Sequence, residues 1–259
     1  MSDAEAKPDP TAALIAELSS NYDKPADIAK VRALIAAGIR LDATDANGDT
    51  LLTQCVKMKK GGAAAKLLID AGVPLEKKNR EGMTPLVYAA WFGVTDIALE
   101  LIKAGAQVNE CDLKGNSALL LTMNCGHLEI AKSLLDKNAD IDAEGFGEKM
   151  TPLMIAVIKH QPEMAKILLK KGCNIDAVRD NQFKDTALSM AQEMGSPSAK
   201  LIQKEINARA ERARRDEFRR VARKREMLDN IGKELHTGTR KVISVMSLRL
   251  KIDRSFLWA

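Results

Sequence analysis

His127, His160 and His236 are the histidines of this 259-residue chain, and Cys55, Cys111, Cys125 and Cys173 are its cysteines. A zinc site needs such ligands in closely spaced pairs, and a nucleophilic thiol needs a base beside it. Neither arrangement is suggested: the four cysteines are far apart, no Cys-x-x-Cys is present, and Cys125-Gly-His127 stands without the second pair a zinc site needs. A glycine-rich phosphate loop and a Gly-x-Ser-x-Gly elbow are also missing. The residues therefore point away from an enzyme, and no cofactor or metal is expected. Scattered thiols suit a reducing, cytosol-like compartment.

Two other groups suit recognition. The stretch TPLVYAAWFG, Thr84–Gly93, holds Tyr88, Trp91 and Phe92 in a chain that is only 3% aromatic. The second is the basic run RRVARKR, Arg219–Arg225. Lys200–Arg225 carries eleven Lys/Arg against four Asp/Glu, while the first 199 residues carry 23 against 27. An acidic body is thus joined to a basic tail, and the two need separate readings.

The elements that position Trp91 and Phe92 recur along the chain. The doublets Leu34-Ile35, Leu67-Leu68, Leu101-Ile102, Leu134-Leu135 and Leu168-Leu169 are spaced 33, 34, 33 and 34 residues apart. After each comes a turn-former: Gly38, Gly72, Gly105, Asn138 and Gly172. Next come an aliphatic (Leu41, Leu75, Val108, Ile141, Ile175) and a polar residue (Asp42, Glu76, Asn109, Asp142, Asp176). The hydroxyls Thr50, Thr84, Ser117, Thr151 and Thr186 keep the same beat. Each unit reads as a hydroxyl-capped helix, a turn, a second helix carrying the doublet, a left-handed stop and a projecting turn. One unit cannot bury its own apolar face, but a stack of them builds a continuous core.

These residues resemble the ankyrin repeat. The best copy is Gly82-Met-Thr-Pro-Leu86 with Ala89-Ala90, Gly93, Gly105-Ala106 and Val108-Asn109. A second is Gly115-Asn-Ser117 with Gly126-His-Leu-Glu-Ile130 and Asn138-Ala-Asp-Ile-Asp142. A third is Thr151-Pro-Leu153 with Gly172-Cys-Asn-Ile-Asp176. The resemblance covers about residues 11 to 205 and implies an all-α solenoid of five to six stacked helix pairs with projecting turns. The family's usual His after Thr-Pro-Leu is replaced by Thr53, Val87, Leu120, Met154 and Ser189, which removes a loop-tying hydrogen bond. His127 occupies the Gly-His turn position, where a structural hydrogen bond is the expected role. The opening pair, Thr11–Leu18 and Asp27–Ala36, lacks the capped start and reads as a terminal unit.

The resemblance implies a non-catalytic adaptor or scaffold with a concave surface for a protein partner. That surface would hold Trp91 and Phe92 with Arg80, Met83, Met58, Leu113, Asn124, Cys125, Met150 and Ile158, while Tyr88 belongs to the core. The alternative for Trp91 and Phe92 is that they merely cover the turn between helices.

The tail reads as one long helix from Pro197 to about Ile231, before Gly232. Glu205–Arg209, Glu211–Arg215 and Asp216–Arg220 are acid-to-base pairs at i, i+4, the favourable orientation. Phe218, Val221, Leu228, Ile231 and Leu235 form an apolar stripe. Arg212, Arg215, Arg219, Arg220, Arg223, Lys224 and Arg225 are candidates for an anionic partner. Three readings stay open: a solvated, self-paired helix; an acidic protein or membrane surface; and nucleic acid, disfavoured because Phe218 is the only nearby aromatic.

The layout expected is a disordered segment 1–10, a repeat domain 11–205, a basic helical extension 206–235, and a tail 236–259 in which Val242–Ile252 alternates as a short strand would. No apolar run reaches the length of a membrane span, and the MSDAEAKPDP start lacks signal-peptide features. A cytoplasmic protein is expected, with nuclear import conceivable through RRVARKR if the host has a nucleus. If charge pairs hold the basic helix, reversing Glu211 and Asp216 to Lys frays Arg209–Arg220 and leaves the repeats intact. Hydrogen exchange reads this directly: unchanged protection there shows that pairing does not hold it.

Overall fold

The computed structural model describes residues 9–20, 25–58 and 60–236. The chain divides into two units, Met1–Gln203 and Lys204–Ala259. The first is an all-α stack. Five helix pairs succeed one another: α1 (Pro10–Ser20) with α2 (Ile28–Ala36), α3 (Leu51–Lys57) with α4 (Gly62–Asp70), α5 (Pro85–Phe92) with α6 (Thr95–Lys103), α7 (Ala118–Cys125) with α8 (Leu128–Asp136), and α9 (Pro152–Ile158) with α10 (Pro162–Lys171). α11 (Ala187–Glu193) and the start of α12 (Ser198–His236) follow. The inner helices α3, α5, α7, α9 and α11 pack in one row, and α2, α4, α6 and α8 in a second.

The inner helices start where a hydroxyl takes up a free backbone N–H. Thr50, Thr84, Ser117, Thr151 and Thr186 accept hydrogen bonds from the N–H of Thr53, Val87, Leu120, Met154 and Ser189. Those donors are the residues standing where the family pattern has His. Thr53 and Ser189 contribute more: the Thr53 hydroxyl lies 2.8 Å from that of Thr50, and Ser189 completes a capping box with Thr186.

The outer helices end at Gly38, Gly72, Gly105, Asn138 and Gly172, with φ of 86°, 85°, 91°, 60° and 90°. The reversal lets the next N–H return to a carbonyl five residues back: Val73 to Leu68, Ala106 to Leu101, Ala139 to Leu134 and Cys173 to Leu168. This pattern corrects one register. Leu68, rather than Leu67, is the counterpart of Leu101, Leu134 and Leu168; Leu68 is buried and Leu67 half-buried.

The opening pair does carry caps, from carboxylates. Asp9 accepts from Thr11 N–H at 2.9 Å, and Asp27 from Ala29 and Lys30 N–H at 3.0 and 3.2 Å. α1 begins at Pro10, inside the segment read as disordered; the rest of that reading, residues 1–8, lies outside the described residues. The strand expected within Val242–Ile252 lies outside them too. Between outer and inner helices the chain makes short hairpins with isolated bridges, Thr44 to Thr50, Cys111 to Ser117, Gly145 to Met150 and Val178 to Thr186.

α12 runs through Gly232 to His236, five residues past the expected end. One helical glycine costs about 1 kcal/mol relative to alanine, too little to break a helix flanked by good helix formers. Two of the three expected charge pairs form, Glu205–Arg209 and Glu211–Arg215, each at 3.2 Å. The third is replaced: Asp216 pairs one turn-face closer with Arg219 at 3.7 Å, instead of with Arg220. Each is worth only about 0.3–0.5 kcal/mol at the surface.

Leu134 is fully buried and Leu113 is 77% exposed. Leu134→Ala is expected to lower unfolding free energy by about 2–5 kcal/mol, and Leu113→Ala by no more than about 0.5 kcal/mol, in urea titrations. Burial also pushes the Cys55 thiol up to about 12, so it stays protonated and unreactive at pH 8. Iodoacetamide should label exposed Cys125 in the native protein and reach Cys55 only on unfolding, as read by peptide mass spectrometry.

Candidate protein-binding groove

The hairpins stand in register, and their tips wall a groove against the inner helices. Each of three tips is shaped by one side chain. Asp45 accepts from Asn47 and Asp49 N–H, Asn79 from Glu81 and Met83, and Asp112 from Lys114 and Asn116, all within 2.8–3.0 Å. Adjacent repeats are tied by the polar residue after each aliphatic. Glu76 accepts from Gln107 N–H at 2.8 Å, Asn109 from Asp140 at 2.8 Å and Asp142 from Asn174 at 2.7 Å. These bonds tie each loop to the next.

The groove encloses about 460 Å³. Trp91, Met83, Leu113, Leu121 and Phe146 give it an apolar lining, and Arg80, Glu81, Asp112 and Lys114 a charged rim. Leu113 reaches the groove because Gly82 lets it: a Cβ on Gly82 would lie 2.7 Å from Leu113 Cγ. Trp91 is 39% exposed and Phe92 55%, while Tyr88 is buried. The three rings form one cluster, with Tyr88–Phe92 centroids 4.7 Å apart and Trp91–Phe92 5.3 Å. Trp91 faces the groove. Phe92 is not part of its lining and sits at the mouth of the Gly93 turn.

The other sequence candidates divide. Arg80, Leu113 and Asn124 line the groove with Trp91. Cys125 is exposed and Ile158 half-buried, both outside it. Met58, Met83 and Met150 are corrected from surface to interior, with 2%, 5% and 9% exposure. Met83 and Met150 directly precede the capping hydroxyl, and that position faces inward, as buried Asp49 and Asn116 also show. Met83 still forms part of the groove floor. Met58 turns inward because α3 ends one residue early and leaves in extended conformation, without the left-handed glycine that follows Phe92.

Phe146 was not foreseen. Its hairpin is one residue longer than the three before it: Gly145 N–H donates to Met150 O five residues on, where Asp45, Asn79 and Asp112 donate to the carbonyl four residues on, and it carries left-handed φ at Phe146 (57°), Gly147 (73°) and Lys149 (52°). Two clamps hold this strained turn. Asn116 Oδ1 accepts from Phe146 N–H at 2.9 Å, and Glu148 pairs with Arg179, whose neighbour Asp180 donates to the Glu148 carbonyl at 2.9 Å. The signal available was Gly145-Phe-Gly147, a ring between two glycines at a tip.

His127 makes its turn contact by packing. Its backbone N–H donates to Thr122 O, and its ring lies against Gly93, where a Cβ would be 2.2 Å from Cε1. Among the described residues no three His, Cys, Asp or Glu side chains group as metal ligands would, and no helix is long and apolar enough to cross a membrane.

Comparison with known proteins agrees with this architecture. The family model for ankyrin repeats (three copies) matches residues 22–112, 95–179 and 119–212. Mouse inversin is 32% identical over 142 residues, spanning 54% of this chain and 13% of inversin. The mouse protein fem-1 homolog A-like is 32% identical over 140 residues, 54% of this chain and 21% of that protein. The chain therefore spans only a minor part of the length of these relatives. The crystal structure of an ankyrin repeat protein superposes with a TM-score of 0.66 at 24% identity, over 74% of this chain and 96% of that one, a likeness of fold. The hydroxyl caps, left-handed stops and 33-residue period are those of the matched family, and the chain belongs to the ankyrin repeat family.

Proposed function

We propose that the protein is a non-catalytic adaptor or scaffold that holds a protein partner in the groove between its hairpin tips and inner helices. The observation that carries this reading is the apolar lining left open by a chain with a well-filled core. Trp91, Leu113 and Phe146 stand exposed together inside a charged rim. An apolar centre with a polar rim is the anatomy of a protein interface, and a half-exposed tryptophan is the residue type most often dominant there. The volume suits one or two large apolar side chains of a partner segment.

A photo-crosslinking residue at position 113 captures the partner, and binding is then measured with purified components. Trp91→Ala is expected to leave the melting temperature nearly unchanged and weaken binding by on the order of 2 kcal/mol. Affinity should fall little with salt, because the anchor is apolar. A Trp91→Ala variant that binds normally while folded would remove the groove from the interaction.

A further inference from the structure

The surface that the groove leaves unexplained is α12 beyond Gln203. At about 100° per residue, Ala210, Ala213, Val221 and Leu228 fall in one sector roughly 80° wide, interrupted by Glu217 and Lys224. Arg214, Arg225 and Phe218 border that sector on one side, and Arg220 and Met227 on the other. The carboxylates of Glu211, Asp216, Glu226 and Asp229 lie on the remaining face.

Most of the ion pairs follow this division, although Arg209, level with Met227, is paired with Glu205, and Arg223 on the carboxylate face makes no ion pair among the described residues. Arg212, Arg215 and Arg219 are matched with Glu205, Glu211 and Asp216. Arg214, Arg220, Lys224 and Arg225, which border or interrupt the apolar sector, make no ion pair among the described residues. Phe218 and Met227 stand 76% and 65% exposed beside them. A self-paired solvated helix gives no role to an exposed ring and thioether flanked by unpaired cations. A nucleic-acid phosphate track uses the cations but not the apolar sector. An anionic bilayer uses both, with arginines reaching headgroups and apolar side chains entering the acyl boundary.

We propose that residues 204–230 form a peripheral docking surface for anionic lipid bilayers, with the helix lying in the interface plane and its carboxylate face toward water. This site is independent of the groove.

The test is co-sedimentation of the full chain with vesicles of phosphatidylcholine alone, or of equal parts phosphatidylcholine and phosphatidylserine. Binding is expected to be at least about tenfold stronger on the anionic vesicles and to fall as salt is raised. The border triple variant Arg214→Gln/Arg220→Gln/Arg225→Gln should lose most of it. The polar-face triple Arg212→Gln/Arg215→Gln/Arg219→Gln, with the same charge removed, should lose clearly less. Circular dichroism checks helix content in each. Phe218→Ser, which removes no charge, should weaken binding even if the glutamine variants fray the helix. The proposal fails if phosphatidylserine gives no preference or if the two triples lose binding equally. It also fails if Phe218→Ser has no effect while a DNA duplex displaces the vesicles, which would assign the helix to nucleic acid.

Discussion

No helix of the stack can exist by itself. α3, α5, α7 and α9 are seven or eight residues long, about two turns, where helix nucleation costs more than propagation returns. In α5, every residue from Pro85 to Ala90 is buried, and so is every residue from Ala118 to Met123 in α7. Such helices are apolar all round and need a neighbour on each flank. That requirement sets the architecture: each inner helix is covered by the preceding inner helix, the following one and its own outer partner. The hydroxyl cap and the left-handed stop are local devices that end the elements cleanly enough for the stacking to be regular.

Regular stacking has an electrostatic consequence. The hairpins connecting the pairs carry unpaired backbone donors that must be satisfied outside a helix ladder. Within a tip, Asp45, Asn79 and Asp112 each take two of them. Between tips, Glu76, Asn109 and Asp142 each take one from the next repeat. A row of tips is thereby fixed at a constant spacing from the inner helices, and the groove is the space left between them. Its existence is a by-product of the fold; its chemistry is set by residues that the stack does not need.

Those residues are found where the repeat is broken. The Trp91 position holds Lys57, Asn124 and Ile158 in other repeats, and the tip of Phe146 is one residue longer and puts Phe146 and Lys149 at left-handed φ where the three tips before it use Gly48, Gly82 and Gly115. Backbone strain of this kind persists only when its surroundings over-determine it. Asn116 on one side and Arg179 with Asp180 on the other do so. Positions obeying the period hold the protein together, and departures from it line the groove.

The sequence by itself determined the fold, the period, the caps and the stops, because each depends on residues close in the chain: a hydroxyl three residues from the N–H it caps, a glycine four residues after the leucine it follows. It also separated Tyr88 from Trp91 and Phe92, since helical phase within α5 decides which ring meets the neighbouring repeat. The tertiary structure alone decided which candidates share a site. Trp91, Leu113 and Phe146 lie in three different repeats, and one dimension does not show that an inner helix and two tips converge. Nor does it show that Met83 and Met150 point inward, because that depends on the hairpin's fold against the stack. In α12 the reverse held. Local spacing allowed Asp216 two arginine partners, at i+3 and i+4, with nearly equal energies, and side-chain geometry in the folded helix selected Arg219.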